Sequence, residues 1–393
     1  MSRYLQEKFT IAPSSRIAGL CHSIIRGEPY TTCQLACTYC YATWYRGPPG
    51  EPQPVGGIGK LLRSISKAQE RLGLYLPVRV ATLSDPFQPV EKRSKRTLNL
   101  LKTALKLEVP IILNTRLPPP GEEYWDLMAR LSDRGLLLLQ VTITGSQSVW
   151  PLLRRWEPLS PSPRERLKVV ERAASLGVPV VVRVQPVIPG VTDRDLEGLI
   201  SSIAGSGASG VIVEYLRVLK EVAAKAPYLD RSVGWQPYMP LGDAILHPSL
   251  TYRVKTSKRI RDMAVSRGLS FQTCKEGLFN LHTPAAMDCC GFSLLKVPTA
   301  RRPHLWDIYN LARQEGPTPA EKALEKACTS NENLLCGERL EKLPSWLKRA
   351  YRIHERRLQR ILKRRDLLRT LTPTLELENG LIKPVHPLTG NPA

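Results

Sequence analysis

The sequence predicts an α/β fold: a partial (β/α)6 barrel of the TIM type followed by a mainly helical, cysteine-bearing extension. Two observations carry that expectation. Runs of β-branched residues and leucine alternate with amphipathic stretches of ten to fifteen residues, and strands buried on both faces with helices between them form a parallel sheet. The alternation also weakens beyond about residue 217. Six βα units suit a partial barrel better than a closed eightfold one.

The elements follow in order. A first strand is expected near Gly19–Ile25, and the Pro/Gly-rich RGPPGEPQPVGG leads into an amphipathic segment over Ile58–Arg71. VRVATL (78–83) reads as a buried strand, SKRTLNLLKTALKL (94–107) as a helix and PIILNTR (110–116) as the next strand. EEYWDLMARLSDRG (122–135) is a helix with a glycine stop, and LLLLQVTIT (136–144) is strand-like. PRERLKVVERAASLG (163–177) is helical and VPVVVRVQPVI (178–188) strand-like, then Thr192 or Asp193 caps a helix to about Ser206 before GVIVEYL (210–216). TSKRIRDMAVSRGLSFQTC (256–274) reads as a further helix and strand at the barrel's end. The barrel domain is therefore expected over residues 1–274, with its core at about 17–216, and the extension over 275–393. Within the extension, 346–369 is an amphipathic helix with Leu347, Tyr351, His354, Leu358, Ile361, Leu362 and Leu368 on one side and ten Lys/Arg against two acidic residues.

Composition narrows the function classes. The net charge is +22, from 57 basic and 35 acidic residues, which favours a polyanionic partner, nucleic acid before an acidic membrane surface. The opening MSRYLQEKFT has no apolar stretch suited to secretion, and no eighteen apolar residues run together. A soluble, cytoplasmic protein with no membrane partner is expected. Nine cysteines in such a chain argue for metal or redox chemistry before disulfides, although the 34 prolines and many charged residues leave a thermophile's disulfides open.

Three of those cysteines fall within ten residues, in TCQLACTYCY at Cys33, Cys37 and Cys40. Thiolate is the ligand of soft metals and iron–sulfur clusters. One short loop with these spacings can hold three corners of a four-iron cluster, leaving a fourth iron for the amine and carboxylate of an amino acid such as S-adenosylmethionine. An electron from the cluster would then cleave a carbon–sulfur bond and release a 5′-deoxyadenosyl radical. The alternative is zinc, with Cys21 or His22 as fourth ligand.

Cys33-x3-Cys37-x2-Cys40, with Tyr39 just before the last cysteine, resembles the radical S-adenosylmethionine superfamily, whose aromatic residue at that position packs near the adenine. TCQLACTYCYA, LSDPFQPVEKRSKRTLNLL, VTIT and WEPLSPSPRERLKVVERAASLGVPVVVRVQPVIPGVTD, in that order over about residues 20–215, are similar to proteins related to spore photoproduct lyase. The resemblance implies a [4Fe-4S] cluster on the three cysteines, S-adenosylmethionine, an external one-electron donor, a partial (β/α)6 barrel and radical chemistry. It further implies cofactor contacts at the loop of Asp85, largely through backbone. The superfamily's Gly-Gly-Glu form of that loop is absent, and Asp85 reads equally as a turn-shaping residue before Pro86. Glu91 is a rim carboxylate or a helix-start charge. Thr142 and Thr144 share one strand face and offer hydroxyls for ribose or the methionyl carboxylate, or simply pack. Arg166 and Arg183 each need a carboxylate, from the cofactor or from Glu157.

Cys274, Cys289, Cys290, Cys328 and Cys336, with His282, form a second population. They fit a zinc site, an auxiliary cluster, buried free thiols, a disulfide or a hydrogen-atom donor. The expected function is a radical enzyme of the spore photoproduct lyase-like kind acting on nucleic acid. Its rivals are a radical enzyme modifying RNA, a peptide or a small metabolite, and a zinc-stabilised nucleic-acid-binding protein without catalysis.

Overall fold

The computed structural model describes residues 21–22, 25–46, 50–226, 228–238, 242–283, 288 and 290–388. Its centre is a seven-stranded, all-parallel sheet in sequential order: β1 (Arg26–Gly27), β2 (Val78–Val80), β3 (Ile111–Thr115), β4 (Leu137–Thr142), β5 (Val180–Val187), β6 (Gly210–Tyr215) and β7 (Ser270–Thr273). β1 pairs only with β2 and β7 only with β6 among the described strands, which gives the partial barrel. The connecting helices are α1 (Ile58–Leu72), α2 (Arg96–Lys106), α3 (Glu122–Asp133), α4 (Pro163–Ser175), α5 (Leu196–Gly205) and α6 (Leu250–Val265).

Residues of period two divide between two cores. Val78, Val80, Ile111, Leu113, Leu137, Leu139, Val141, Val180 and Val182 face outward and pack with the helices' apolar stripes, such as Leu61, Leu62 and Ile65 of α1. Ile112, Leu138, Val181 and Ile212 face inward, where Cys274, Cys290, Phe292 and Leu295 meet them. The segment around Cys290 thereby closes the end of the barrel from which the strands start, and Lys296 N donates to the oxygen of Gly135 just ahead of β4. Gly291 permits the approach: its φ is +77°, and a Cβ there would stand 2.9 Å from Leu138 Cδ2. α4 begins with the capping box of Ser162 and Glu165, and Asp195 caps α5 by accepting from Gly198 N.

Several boundaries differ from expectation. The first strand lies at Arg26–Gly27, while Gly19 and Leu20 are outside the described residues. The helix expected from Thr192 starts as a 3-10 turn over Thr192–Asp195. The extension is not only helical. It holds α7 (Leu305–Glu315), α8 (Ser345–Leu362) and two shorter helices, together with an antiparallel sheet of Thr318–Pro319, Leu375–Glu378 and Leu381–Pro384. A second small antiparallel sheet, of Val218–Leu219, Gln236–Tyr238 and Gly242–His247, follows β6. Strands of two to six residues are too short to announce themselves by alternation. The basic helix expected over 346–369 is broken after Leu362, and a new helix over Arg365–Leu371 returns Leu368 and Leu371 to the apolar cluster of the extension.

Candidate cofactor site

Cys33, Cys37 and Cys40 occupy the loop leaving β1, at the end of the sheet opposite the Cys290 segment. Each is partly buried. The loop is held by its backbone: Cys40 N donates to Cys37 O (3.1 Å), Thr43 N to Cys40 O (3.2 Å) and Thr38 N to Trp156 O (3.0 Å), while Ala36 takes φ +50°. Two glutamines clasp it to the loop after β2. Gln34 N donates to Gln88 Oε1 (2.8 Å), Gln88 Nε2 to Thr32 O (3.0 Å), and Val90 N to Gln34 Oε1 (3.0 Å). Cys37 Sγ lies 3.7 Å from Ser160 Oγ. Burial, then the Asp85 charge, pushes the Cys33 thiol up to about 12, and burial raises Cys37 against the lowering field of Arg116. Three thiols on one fixed loop are a soft donor set that a cationic iron cluster would deprotonate and hold, so the residues present fit that group. Among the described residues no three His, Cys, Asp or Glu side chains gather as a single-ion site, and thiolates on three separate irons need no such convergence. Of Cys21 and His22, the candidates for a fourth zinc ligand, His22 stacks on His304 at 4.0 Å with its Nδ1 3.3 Å from Arg301 Nη1, while Cys21 is a buried free cysteine whose carbonyl accepts from Arg302.

A carboxylate supports the loop from behind. Glu157, fully buried, receives Arg166 Nη2, Arg116 Nη1 (2.5 Å), Thr144 Oγ1 (2.6 Å) and the Tyr39 hydroxyl. Burial raises its pKa, but the Arg166 and Arg116 guanidiniums outweigh that and hold it at about 2. Arg166 spends its other nitrogens on Pro161 O (2.8 Å) and Thr142 O (3.2 Å), and Arg116 Nη1 also donates to Tyr39 OH (2.8 Å). Tyr39, Thr144 and Arg166 are thus brought together around Glu157, a partner the sequence offered, by Arg116, which sequence reasoning missed because it sits just past the end of β3.

Asp85 is buried and accepts from Phe87 N (3.0 Å), Thr115 Oγ1 (3.0 Å) and Arg116 N (2.7 Å), so it shapes the loop and ties it to β3. Burial raises it to about 6 despite those donors. Glu91 is also buried rather than at the rim. It takes Thr97 N and Leu98 N (3.0 Å each) at the start of α2, together with Tyr124 OH (2.7 Å). Glu28, unanticipated, accepts from Thr82 N (2.7 Å), Leu83 N (3.1 Å) and Ser84 Oγ (3.1 Å).

The barrel interior is polar above its apolar floor. Arg183 donates to Gln140 Oε1 and Gln185 Oε1 (2.7 Å each) and lies 3.7 Å from Cys274 Sγ. Thr142 is its register neighbour on β4. Arg79 reaches Asn114 Oδ1 (3.4 Å). Arg79 Nε and Gln185 Nε2 are buried without a partner among the described residues, two open donors for a polar ligand. At the mouth, Lys275 lies 3.4 Å from Glu214 and 5.1 Å from the centre of the Tyr41 ring, next to Cys40. Behind them Glu276 joins Arg217 (3.2 Å), Arg253 (2.8 Å) and His247 (3.4 Å). Of the second cysteine population, Cys328 and Cys336 form a disulfide, Cys274 and Cys290 are buried, and Cys289 lies outside the described residues. His282 meets Thr273 through Nε2 and packs on Phe279 and Trp306.

Comparison with known proteins points the same way. The Radical SAM superfamily matches residues 28–203. The Radical SAM Nalpha-GlyT isomerase of Pseudomonas phage M6 is 25% identical over 294 residues, 70% of this chain and 58% of the relative. An uncharacterized protein of Methanocaldococcus jannaschii is 27% identical over 169 residues, 42% of this chain and 60% of its own. The chain thus spans less than two thirds of either curated relative. Spore photoproduct lyase complexed with dinucleoside spore photoproduct aligns with a TM-score of 0.50 and 18% identity, covering 68% of this chain and 78% of that one. A variant of the same lyase with bound AdoMet and the dinucleoside gives 0.50 and 17%, over 66% and 79%. At these identities the solved structures establish a shared fold.

Proposed function

From residues 28–203 as a radical S-adenosylmethionine domain, we propose an enzyme that abstracts a hydrogen atom from a nucleic acid held at the barrel mouth. One observation carries the reading: three thiols on a single fixed loop at the strand-exit end of a partial parallel barrel. Cys33, Cys37 and Cys40 would hold a [4Fe-4S] cluster whose remaining iron takes S-adenosylmethionine. When bound and reduced by an external one-electron donor, this pair supplies a 5′-deoxyadenosyl radical.

The chain's own residues do the rest. Glu157, with Arg116 and Arg166, fixes Tyr39 and the loop, so the thiols keep their spacing. Asp85 orders the loop after β2 and ties it to β3 through Phe87 N and Arg116 N, and the remaining backbone of that edge would contact the cofactor. Arg79, Gln185, Thr142 and Arg183 supply polar groups to the interior, and the floor formed by Phe292 and Leu295 keeps water from entering below. Nucleic acid is favoured by the +22 charge and by the dinucleoside in the spore photoproduct lyase complexes. The reaction type would fall among lyases and isomerases, after the names of the relatives.

Anaerobic reconstitution, reduction and incubation with S-adenosylmethionine tests the reading. The expected result is a brown, iron-bearing protein that releases 5′-deoxyadenosine, more with DNA or RNA than without. Cys37→Ala should lose the colour and fall to the no-protein background. A colourless protein with stoichiometric zinc and no iron would sink the cofactor assignment, and turnover unaffected by every nucleic acid tried would sink the substrate class.

A further inference from the structure

One feature of the sequence plays no part in the cofactor site: the basic helix of the extension. α8 buries Trp346, Leu347, Ala350, Tyr351, His354, Leu358, Ile361 and Leu362. At 100° per residue its opposite side carries Arg349, Arg356, Arg360 and, at the C-cap, Lys363, all exposed. They fall within an arc of about 60° and span about 21 Å along the axis. None of the four has an ion pair or side-chain hydrogen bond to a described residue. Two acids beside the helix are committed, Glu341 to Lys348 and Arg352 (2.7 Å each) and half-buried Glu355 to Gly337 N (3.2 Å), and exposed Asp366 lies beyond the stripe, after the break. Arg364 and Arg369, also exposed, continue the positive surface past the break.

We propose that this stripe is a docking surface for the phosphate backbone of double-stranded nucleic acid, resting on the reading that the substrate is a nucleic acid. Four cations in a straight, self-repelling row are stabilised by a regular row of phosphates. An anionic membrane fits less well, because an interfacial helix needs an apolar face to insert. The apolar face of α8 is already buried, and no large hydrophobic side chain between 345 and 371 is among the exposed ones. The same lack of exposed aromatic residues argues against a protein partner. Tyr351 of α8 lies beside His22, Leu76, Pro77 and Phe292, at the floor of the barrel. A duplex docked on α8 would therefore be held at the floor end, tethering the substrate by a stretch remote from the part that reacts at the mouth.

The test is fluorescence anisotropy of a short labelled DNA duplex with the reconstituted 393-residue chain, across about 50 to about 200 mM salt, without S-adenosylmethionine. The variant carries Arg349→Gln, Arg356→Gln, Arg360→Gln and Lys363→Gln. The control neutralises four exposed cations elsewhere: Lys102→Gln, Lys106→Gln, Arg130→Gln and Lys168→Gln. The stripe variant should bind more weakly, with a salt exponent smaller by about 3 to 4, while its circular dichroism and iron content stay unchanged and the control keeps the parent's affinity. Equal loss in both variants, or no loss in the stripe variant, overturns the proposal. So does a stripe variant that loses only phosphatidylserine vesicles. Either failure leaves the 5′-deoxyadenosine assay standing, whereas turnover indifferent to nucleic acid strikes the substrate reading itself.

Discussion

Glu157 does for the site what no single cysteine can. It neutralises the buried guanidinium of Arg166 and the mostly covered one of Arg116 and takes the hydroxyls of Thr144 and Tyr39, so its removal leaves Arg166 charged in a dry interior and Arg116 without its carboxylate. Glu157→Ala is expected to cost about 3–5 kcal/mol, read as a fall in the urea midpoint. Glu157→Gln, which keeps the shape, should cost less. The sign with pH follows from its depressed pKa of about 2 against the ordinary 4.5. Its contribution is complete above about pH 4.5 and is lost as pH falls toward 2, so the stability gap between parent and Glu157→Gln should narrow over that acid window. The cysteine triad was legible because its chemistry lies in one loop with fixed spacing. The glutamate hub was only half legible: Arg166 demanded a carboxylate and Glu157 was a candidate, but Arg116, Gln34 and Gln88 are ordinary residues until folding sets them side by side.

Among the elements, α8 shows how a helix is placed by its apolar face. Trp346 is buried in the same core as the barrel helices and donates through Nε1 to Ser64 Oγ of α1 (3.1 Å). Trp346→Ala should cost about 3–5 kcal/mol. Trp346→Phe, which keeps most of the area and loses one hydrogen bond, should cost nearer 1 kcal/mol from that bond. Denaturant unfolding separates the two. The alternation of strand and helix through β6 was readable because each strand is buried on both faces and each helix on one. The break after Leu362 was not, since the charge and apolar pattern runs on without interruption and only the packing of Leu368 and Leu371 on the extension's own core bends the chain. The short antiparallel strands gave no period to read.

For the whole molecule, burial of histidine sets the acid limit. His282 and His247 are held neutral at about 3 chiefly by burial, and burial lowers His22 and His354 as well. A ring neutral in the fold but free to protonate when unfolded contributes fully above its ordinary value near 6.5, and that contribution is lost as pH falls below it toward the folded pKa. Stability should therefore drop below about pH 6.5 by about 1.4 kcal/mol per pH unit for each such ring, measured as the urea midpoint between neutral and mildly acidic buffer. His282→Gln should flatten that slope. These rings lie far apart in the chain, and His22 meets His304 only because the extension returns to the barrel. The same return fills the floor with Phe292 and Leu295, a role nothing local in TCKEGLFNLHTPAAMDCCGF announces. By itself the sequence determined the parallel α/β alternation, the thiol loop after the first strand and the basic stripe, because each depends on residue type at short, periodic spacing. Only the tertiary structure decided which buried charges neutralise one another, where the basic helix ends and what closes the barrel, because those outcomes depend on contacts between residues tens to hundreds of positions apart.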